Sequence, residues 1–203
     1  TPWDNYLVAT RVWWYDPELV TGITLGYVPI EEYTFFILQT LLAGFWLFFC
    51  MRRMRFEDTE LPHQGKAIRW GVALTSGLIW VISLILLLTG WQPWTYMGLI
   101  LVWALIPIII QMAFGADILW RYRRLVLAAV LPVLTYLSLV DSFAILEGTW
   151  VISPDQTLGI HLAGVLPLEE FVFFMVTTML VVFGCTLVLA RDSHRRLGWL
   201  RDE

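Results

Sequence analysis

Charge is what this chain has least of. Four windows, 33–51, 70–116, 125–140 and 171–190, contain no Asp, Glu, Lys or Arg. Charged residues make up 15% of the whole, where a soluble domain carries roughly 25%. Hydrophobic residues reach 59% and mean hydropathy is +0.71, which excludes disorder. With 13 basic against 17 acidic residues, the molecule is no basic trap for nucleic acid. Its two cysteines, Cys50 and Cys185, are too few for a disulfide framework and read as reduced core residues. The single lysine, Lys66, lies between the apolar windows, so no Schiff base forms inside a helix. No Gly-x-Gly-x-x-Gly occurs, which argues against a flavin or nicotinamide site. No Asp-x-x-x-Asp occurs either, so no prenyl-diphosphate synthase module is fused here. His63, His161 and His194 are scattered, and His161 reads as an interfacial loop residue. No metal site and no cofactor are expected.

What is present is apolar length. A spanning helix needs about 20 apolar residues, and the 70–116 window is long enough for two, broken at Gly90-Trp91-Gln92-Pro93. Five spans are expected, at about 29–51, 69–89, 94–115, 121–145 and 165–190. The fold class is therefore an all-α polytopic transmembrane bundle forming one membrane domain, residues 1–203.

Basic residues orient it. Counting crossings, the face where the first span starts holds only Arg11. The other face holds the remaining 12 of the 13 basic residues: Arg52, Arg53, Arg55, Lys66 and Arg69, then Arg121, Arg123 and Arg124, then Arg191, Arg195, Arg196 and Arg201. That second face, with the C-terminus, is expected to be cytoplasmic in a multi-pass cell-membrane protein. The first face carries ten acids, and acids weigh little in topology, so their gathering there asks for another cause.

The chain also repeats itself. At an offset of 137, Asp4, Trp13, Pro17, Gly22, Ile23 and Leu25 meet Asp141, Trp150, Pro154, Gly159, Ile160 and Leu162. After one inserted residue, Pro29, Glu31, Glu32, Phe35, Phe36, Thr40 and Phe45 meet Pro167, Glu169, Glu170, Phe173, Phe174, Thr178 and Phe183. Repeat 1 covers about 4–50 and repeat 2 about 121–190, with connecting spans at 69–115. An even number of crossings separates the copies, so the repeats run parallel with both Glu pairs on one face. The stretch before Asp141 is an apolar helix, and its counterpart before Asp4 is expected upstream of Thr1 as a sixth span. Short interfacial hairpins are expected before each Glu pair: Val12–Tyr15 against Leu19–Leu25 around Asp16-Pro17-Glu18, and Thr149–Ile152 against Thr157–Leu162 around Ser153-Pro154-Asp155. An irregular aromatic-belt loop is the alternative for each.

The chemistry sits in the paired carboxylates. Pro29 and Pro167 suit a first helical position, which places Glu31-Glu32 and Glu169-Glu170 in the first turn. One such pair would be explained by the helix dipole alone. Two pairs on one face, each followed by aromatic-x-Phe-Phe, ask for more. Burial and like charge both favour the neutral form of a carboxyl, so at least one acid should stay protonated near neutral pH. A protonated acid beside an ionised one is the apparatus of general acid–base catalysis. Glu31 and Phe35, like Glu169 and Phe173, are four apart and share a helix face, which makes Glu31 and Glu169 the preferred members. Aromatic faces stabilise cations. The implied reaction protonates an apolar substrate, passes through a carbocation and releases a different proton.

Pro-Ile-Glu-Glu-Tyr-x-Phe-Phe and Pro-Leu-Glu-Glu-Phe-x-Phe-Phe, each downstream of an Asp and a Trp, resemble the two halves of the small flavin-independent membrane lycopene cyclases, found in bacteria, archaea and fungi as two subunits or one fused chain. The resemblance covers residues 4–190. It implies that each linear end of lycopene is closed to a ring, most simply a β-ring, without net redox change. An acid protonates C2 of the terminal alkene, the C5=C6 alkene attacks the C1 cation, and a base removes the C6 proton. By position, Glu31, Glu32, Glu169 and Glu170 are the acid–base candidates. Phe35, Phe36, Phe173, Phe174, Trp13 and Trp150 are the substrate-binding candidates, and Asp4, Asn5 and Asp141 are supporting partners. Asn5 is matched by Ser142, a departure from the pattern. The partners implied are lycopene, the lipid bilayer and other enzymes of carotenoid synthesis. A proton-coupled transporter and a non-catalytic membrane subunit remain open as other readings.

Overall fold

The computed structural model describes residues 2–54 and 64–198; Arg55, His63 and Arg201 lie outside the described residues. Among those described, α1 spans Pro2–Ala9, α2 Ile30–Arg53, α3 Gly65–Leu88, α4 Thr95–Arg121, α5 Arg123–Leu146, α6 Leu168–Leu189 and α7 Arg191–Leu197. The five from α2 to α6 are long and apolar enough to cross a membrane, one for each expected span. This is a membrane protein built as an all-α bundle. α4 runs on to Arg121 rather than ending near 115, because it bends instead of stopping. Gly115 leaves helical geometry (φ −149°, ψ 28°), and its bare backbone admits Leu187 of α6. A Cβ there would lie 2.3 Å from Leu187 Cδ2.

α2 and α6 cross at the centre, α5 packs on both, α4 lies along α6, and α3 packs on α4. Phe45, Leu74, Leu88, Ile110 and Leu139 point outward, as side chains facing lipid do. The core has two parts. Leu7, Val12, Ile100, Leu137 and Phe173 fill the end carrying the Glu pairs, and Leu47, Ile118, Leu125 and Val182 fill the other. At that other end, buried Asp117 takes both guanidinium nitrogens of Arg196 (2.7 and 3.1 Å), and Arg121 binds Asp192 at 2.8 Å. Buried carboxylates need such pairing.

Equivalent positions of the two repeats touch each other. Gln39 Nε2 donates to Thr177 Oγ1 where α2 crosses α6. Strands β1 (Trp13–Tyr15) and β4 (Trp150–Ile152) pair antiparallel with Trp14 opposite Val151. A residue can face its own counterpart only near a two-fold axis, so these contacts mark a local pseudo-two-fold. α1 ends at Ala9 and α5 at Leu146, again the same repeat position.

This pairing corrects the expected hairpins. Asp16–Leu19 does turn, with Leu19 N–H donating to Asp16 O at 3.1 Å, but β1 then pairs with the other repeat and not with the segment that follows it. The local hairpins lie nearer the Glu pairs: β2 (Thr24–Leu25) with β3 (Val28–Pro29), and β5 (His161–Leu162) with β6 (Leu166–Pro167). The residue inserted between repeats sits in their turns. Gly26-Tyr27 link the first hairpin, with Gly26 at φ +70° as a type II′ turn requires. Ala163-Gly164-Val165 link the second.

Candidate active site

Pro29 and Pro167 close these hairpins and cap the helices rather than forming their first residue. Both are extended (φ −70°, ψ 152° and φ −56°, ψ 142°), which suits a ring that fixes φ and offers no N–H. The Glu pairs then occupy the second and third helical positions, and neighbouring side chains on a helix point about 100° apart. They therefore do different things.

The first Glu of each pair turns back to the loop before its hairpin. Glu31 Oε1 accepts the Thr21 N–H at 2.7 Å, and Glu169 Oε1 accepts the Leu158 N–H at 2.7 Å. Thr21 and Leu158 are themselves repeat equivalents. The second Glu of each pair, Glu32 and Glu170, lines a cavity of about 120 Å³. The cavity walls are largely equivalent pairs: Asp4 with Asp141, Trp13 with Trp150, and Phe35 with Phe173, joined by Phe174. No Lys, Arg or His is among its described lining residues. Four carboxyls, Glu32, Glu170, Asp4 and Asp141, thus line one largely apolar space.

The remaining site candidates fall in other places. Phe36 packs against Phe173 (centroids 6.3 Å) but does not line the cavity; it belongs to the layer beneath, beside Gln39 and Thr177. Asn5 braces the first hairpin: Oδ1 accepts the Tyr27 N–H at 2.7 Å and Nδ2 donates to the Tyr33 hydroxyl at 3.0 Å. A Cβ on Gly26 would strike Asn5 Oδ1 at 2.1 Å. Ser142, the counterpart of Asn5, bonds only locally to Ser138 O at 2.6 Å. His161 is exposed in the second hairpin.

Two aromatic lining residues escaped sequence reasoning. Trp3 stacks on Phe173 (5.8 Å, planes 8° apart), and Tyr96, 3% exposed, donates its hydroxyl to Glu170 Oε1 at 2.6 Å. Tyr96 is the one tyrosine in the charge-free 70–116 window, which was the available signal. An interfacial aromatic explained it equally well.

The cavity is the right size for one ring. An apolar protein cavity of roughly 150 Å³ takes up benzene. Aromatic walls with acids at one end can deliver a proton to a hydrocarbon, shelter the cation and remove another proton.

Comparison with known proteins points the same way. A family described as Lycopene cyclase matches residues 2–51 and 93–188. A lycopene beta-cyclase of Halobacterium salinarum is 41% identical over 196 residues, covering 94% of this chain and 78% of that protein. A bifunctional lycopene cyclase/phytoene synthase of Leptosphaeria maculans is 35% identical over 191 residues, covering 90% of this chain and 32% of that longer one. One from Fusarium fujikuroi is 35% identical over 203 residues, covering 96% and 31%. No solved structure matches.

Proposed function

The chain belongs to the lycopene cyclase family, and we propose that this lycopene cyclase of carotenoid biosynthesis works as an isomerase forming β-rings, with Glu32 and Glu170 as its acid–base pair. The observation that carries this is the division within each motif: Glu32 and Glu170 line the aromatic cavity, while Glu31 and Glu169 hold loop amides. On this ground we favour Glu32 and Glu170 over Glu31 and Glu169, which helix spacing alone favours.

The reaction moves two protons and no electrons to an acceptor. The neutral carboxyl gives its proton to C2 of the terminal C1=C2 alkene, leaving a cation at C1. The C5=C6 pair forms the C1–C6 bond, which passes the positive charge to C5. The ionised carboxylate takes the proton from C6, and that C–H pair becomes the new C5=C6 bond. Trp13, Trp150, Phe35, Phe173 and Phe174 face the cation with their π-systems, which attract positive charge in a dry site. Asp4 and Asp141, which line the same cavity, connect the carboxyls to exchangeable protons, so that the acid is recharged and the base discharged between closures.

Lycopene is a hydrocarbon and reaches the cavity from the bilayer. The twelve-to-one split of basic residues favours an extracytoplasmic position for the Glu end and a cytoplasmic C-terminus. Membership of an enzyme family leaves the transporter and bystander-subunit readings without support. The test is expression of Glu32→Gln and Glu170→Gln variants in a lycopene-accumulating host, with the pigments extracted. Each variant is expected to leave lycopene uncyclised. Undiminished ring formation in the double variant would overturn the assignment.

A further inference from the structure

A two-fold cavity gives its two glutamates no reason to differ. Glu32 and Glu170 occupy the same position after the same capping proline, and the cavity around them is walled largely by equivalent pairs of Asp, Trp and Phe. An acid and a base must nevertheless be distinct at the moment of reaction, so something outside the repeats has to break the symmetry. α4 lies between the repeats in sequence and packs on α6. From its first turn it sends Tyr96 into the cavity wall, buried, with the hydroxyl 2.6 Å from Glu170 Oε1.

We propose that Tyr96 is the positioning residue that makes the glutamates unequal: its hydroxyl holds Glu170 as the base, leaves Glu32 to carry the proton, and selects the ring type. This rests on Glu32 and Glu170 being the acid–base pair. A phenol donating at this distance matches an O–H···O⁻ contact, which runs 2.5–2.7 Å, and such a bond favours the charged form of its acceptor. With Oε1 occupied by Tyr96, the second oxygen of Glu170 is the one free to take a proton.

Ring type then follows from where that oxygen sits. After closure the cation at C5 has hydrogens on three neighbours. Removing the one on C6 makes a β-ring, one on C4 an ε-ring, and one on the C5 methyl an exocyclic γ-ring. In each case the C–H pair becomes the alkene and the proton goes to Glu170. A base fixed by two anchors, its own backbone and Tyr96, reaches one of these positions; a base held only by its backbone swings across them.

The test is Tyr96→Phe in the full chain, assayed in membranes with lycopene and compared with Glu170→Gln. Loss of a hydrogen bond to a charged group should lower kcat roughly 10- to 100-fold with KM little changed, and part of the product should become ε or γ rings. Packing damage alone would reduce the amount of enzyme without altering ring type. Wild-type rate with only β-rings in Tyr96→Phe, alongside an inactive Glu170→Gln, would overturn the role of Tyr96 and leave the acid–base pair standing. An active Glu170→Gln would remove the pair itself. If Tyr96→Phe does not accumulate, fluorinated tyrosines placed at position 96 keep the shape and strengthen the donor. A progressive fall in kcat with ring type retained supports the proposal, and a flat series overturns it.

Discussion

Trp13 and Trp150 meet edge to face, with ring centroids 5.7 Å apart and planes at 88°. They hold the same position in the two repeats, so the contact straddles the pseudo-two-fold and brings both indoles to one cavity. The β1–β4 ladder that carries them is thus the element that turns two motifs into one site. Each repeat alone has an acid, an Asp and aromatics, but lacks the second carboxyl that the proposed acid–base exchange requires.

The first prediction tests the aromatic wall. Trp150→Phe keeps an apolar ring but loses the stronger indole π-face. Cation–π contacts contribute about 0.5–2 kcal/mol, so turnover should fall about 2- to 30-fold while ring type stays β. Steady-state kinetics in membranes checks this; an unchanged kcat would remove Trp150 from cation stabilisation.

The second separates the members of each Glu pair. Glu169 is fully buried and holds the Leu158 amide, so Glu169→Gln, which weakens that bond without deleting it, should cost about 1 kcal/mol and appear chiefly as lower thermal stability. On the proposed assignment Glu170→Gln removes a reacting group and should cost ~10²–10⁴-fold in rate, a loss far larger than any change in its melting temperature explains. Paired melting curves and assays decide; the reverse pattern would restore Glu169 as the reacting acid.

Sequence alone made the spans, the repeat and the paired acids visible, because hydrophobic length, Pro, Trp and Glu are features of single residues and their order. Which Glu faces the cavity was not visible. The spacing of Glu31 to Phe35 places them on one helix side, but the hydrogen bond from Thr21 N–H to Glu31 decides the orientation, and it depends on a loop path no periodicity encodes. The partner of β1 was hidden for a related reason. A three-residue strand has too little pattern to choose between its neighbour in sequence and its counterpart over a hundred residues away. Asp117, one residue past the charge-free 70–116 window, is the buried end of the Arg196 clamp, a tertiary contact with no local signature.

A third prediction concerns orientation. Glu147 follows α5 at the Glu-pair end, is exposed and has an ordinary backbone, whereas Gly148 next to it sits at φ +75°, where a side chain is strained. Glu147→Cys in a Cys50→Ala, Cys185→Ala background should react with an impermeant maleimide added to intact cells. Labelling only after permeabilisation would place the Glu end in the cytoplasm.

Asn5 supplies a fourth. It ties α1 to the first hairpin through Tyr27 and to α2 through Tyr33, while Ser142 bonds locally to Ser138 O. Asn5→Ala should cost about 0.5–1.5 kcal/mol of stability from the lost hydrogen bonds, and Ser142→Ala should stay within about 0.5 kcal/mol of the parent. Equal losses in denaturation experiments would contradict an unequal bracing role.

The last prediction follows from there being one cavity for two chain ends. Two Glu motifs suggest one site per end of lycopene, yet on the proposed assignment both acids, Glu32 and Glu170, line the same space of about 120 Å³, which is on the scale of a single ring. The two ends must therefore enter in turn, with the substrate leaving and re-entering reversed between closures. A monocyclic carotene should rise first and then decay, and the bicyclic product should appear after a lag. Supplied in advance, the monocyclic compound should be converted without that lag. The proton count follows the same logic. Glu32 is recharged from exchangeable protons, so in D₂O each closure installs one deuterium at C2 of the new ring. Monocyclic product should carry one deuterium and bicyclic product two. Bicyclic product formed from the outset with no monocyclic phase would require a second working site, and product free of deuterium would mean that the proton is recycled from C6 without exchange.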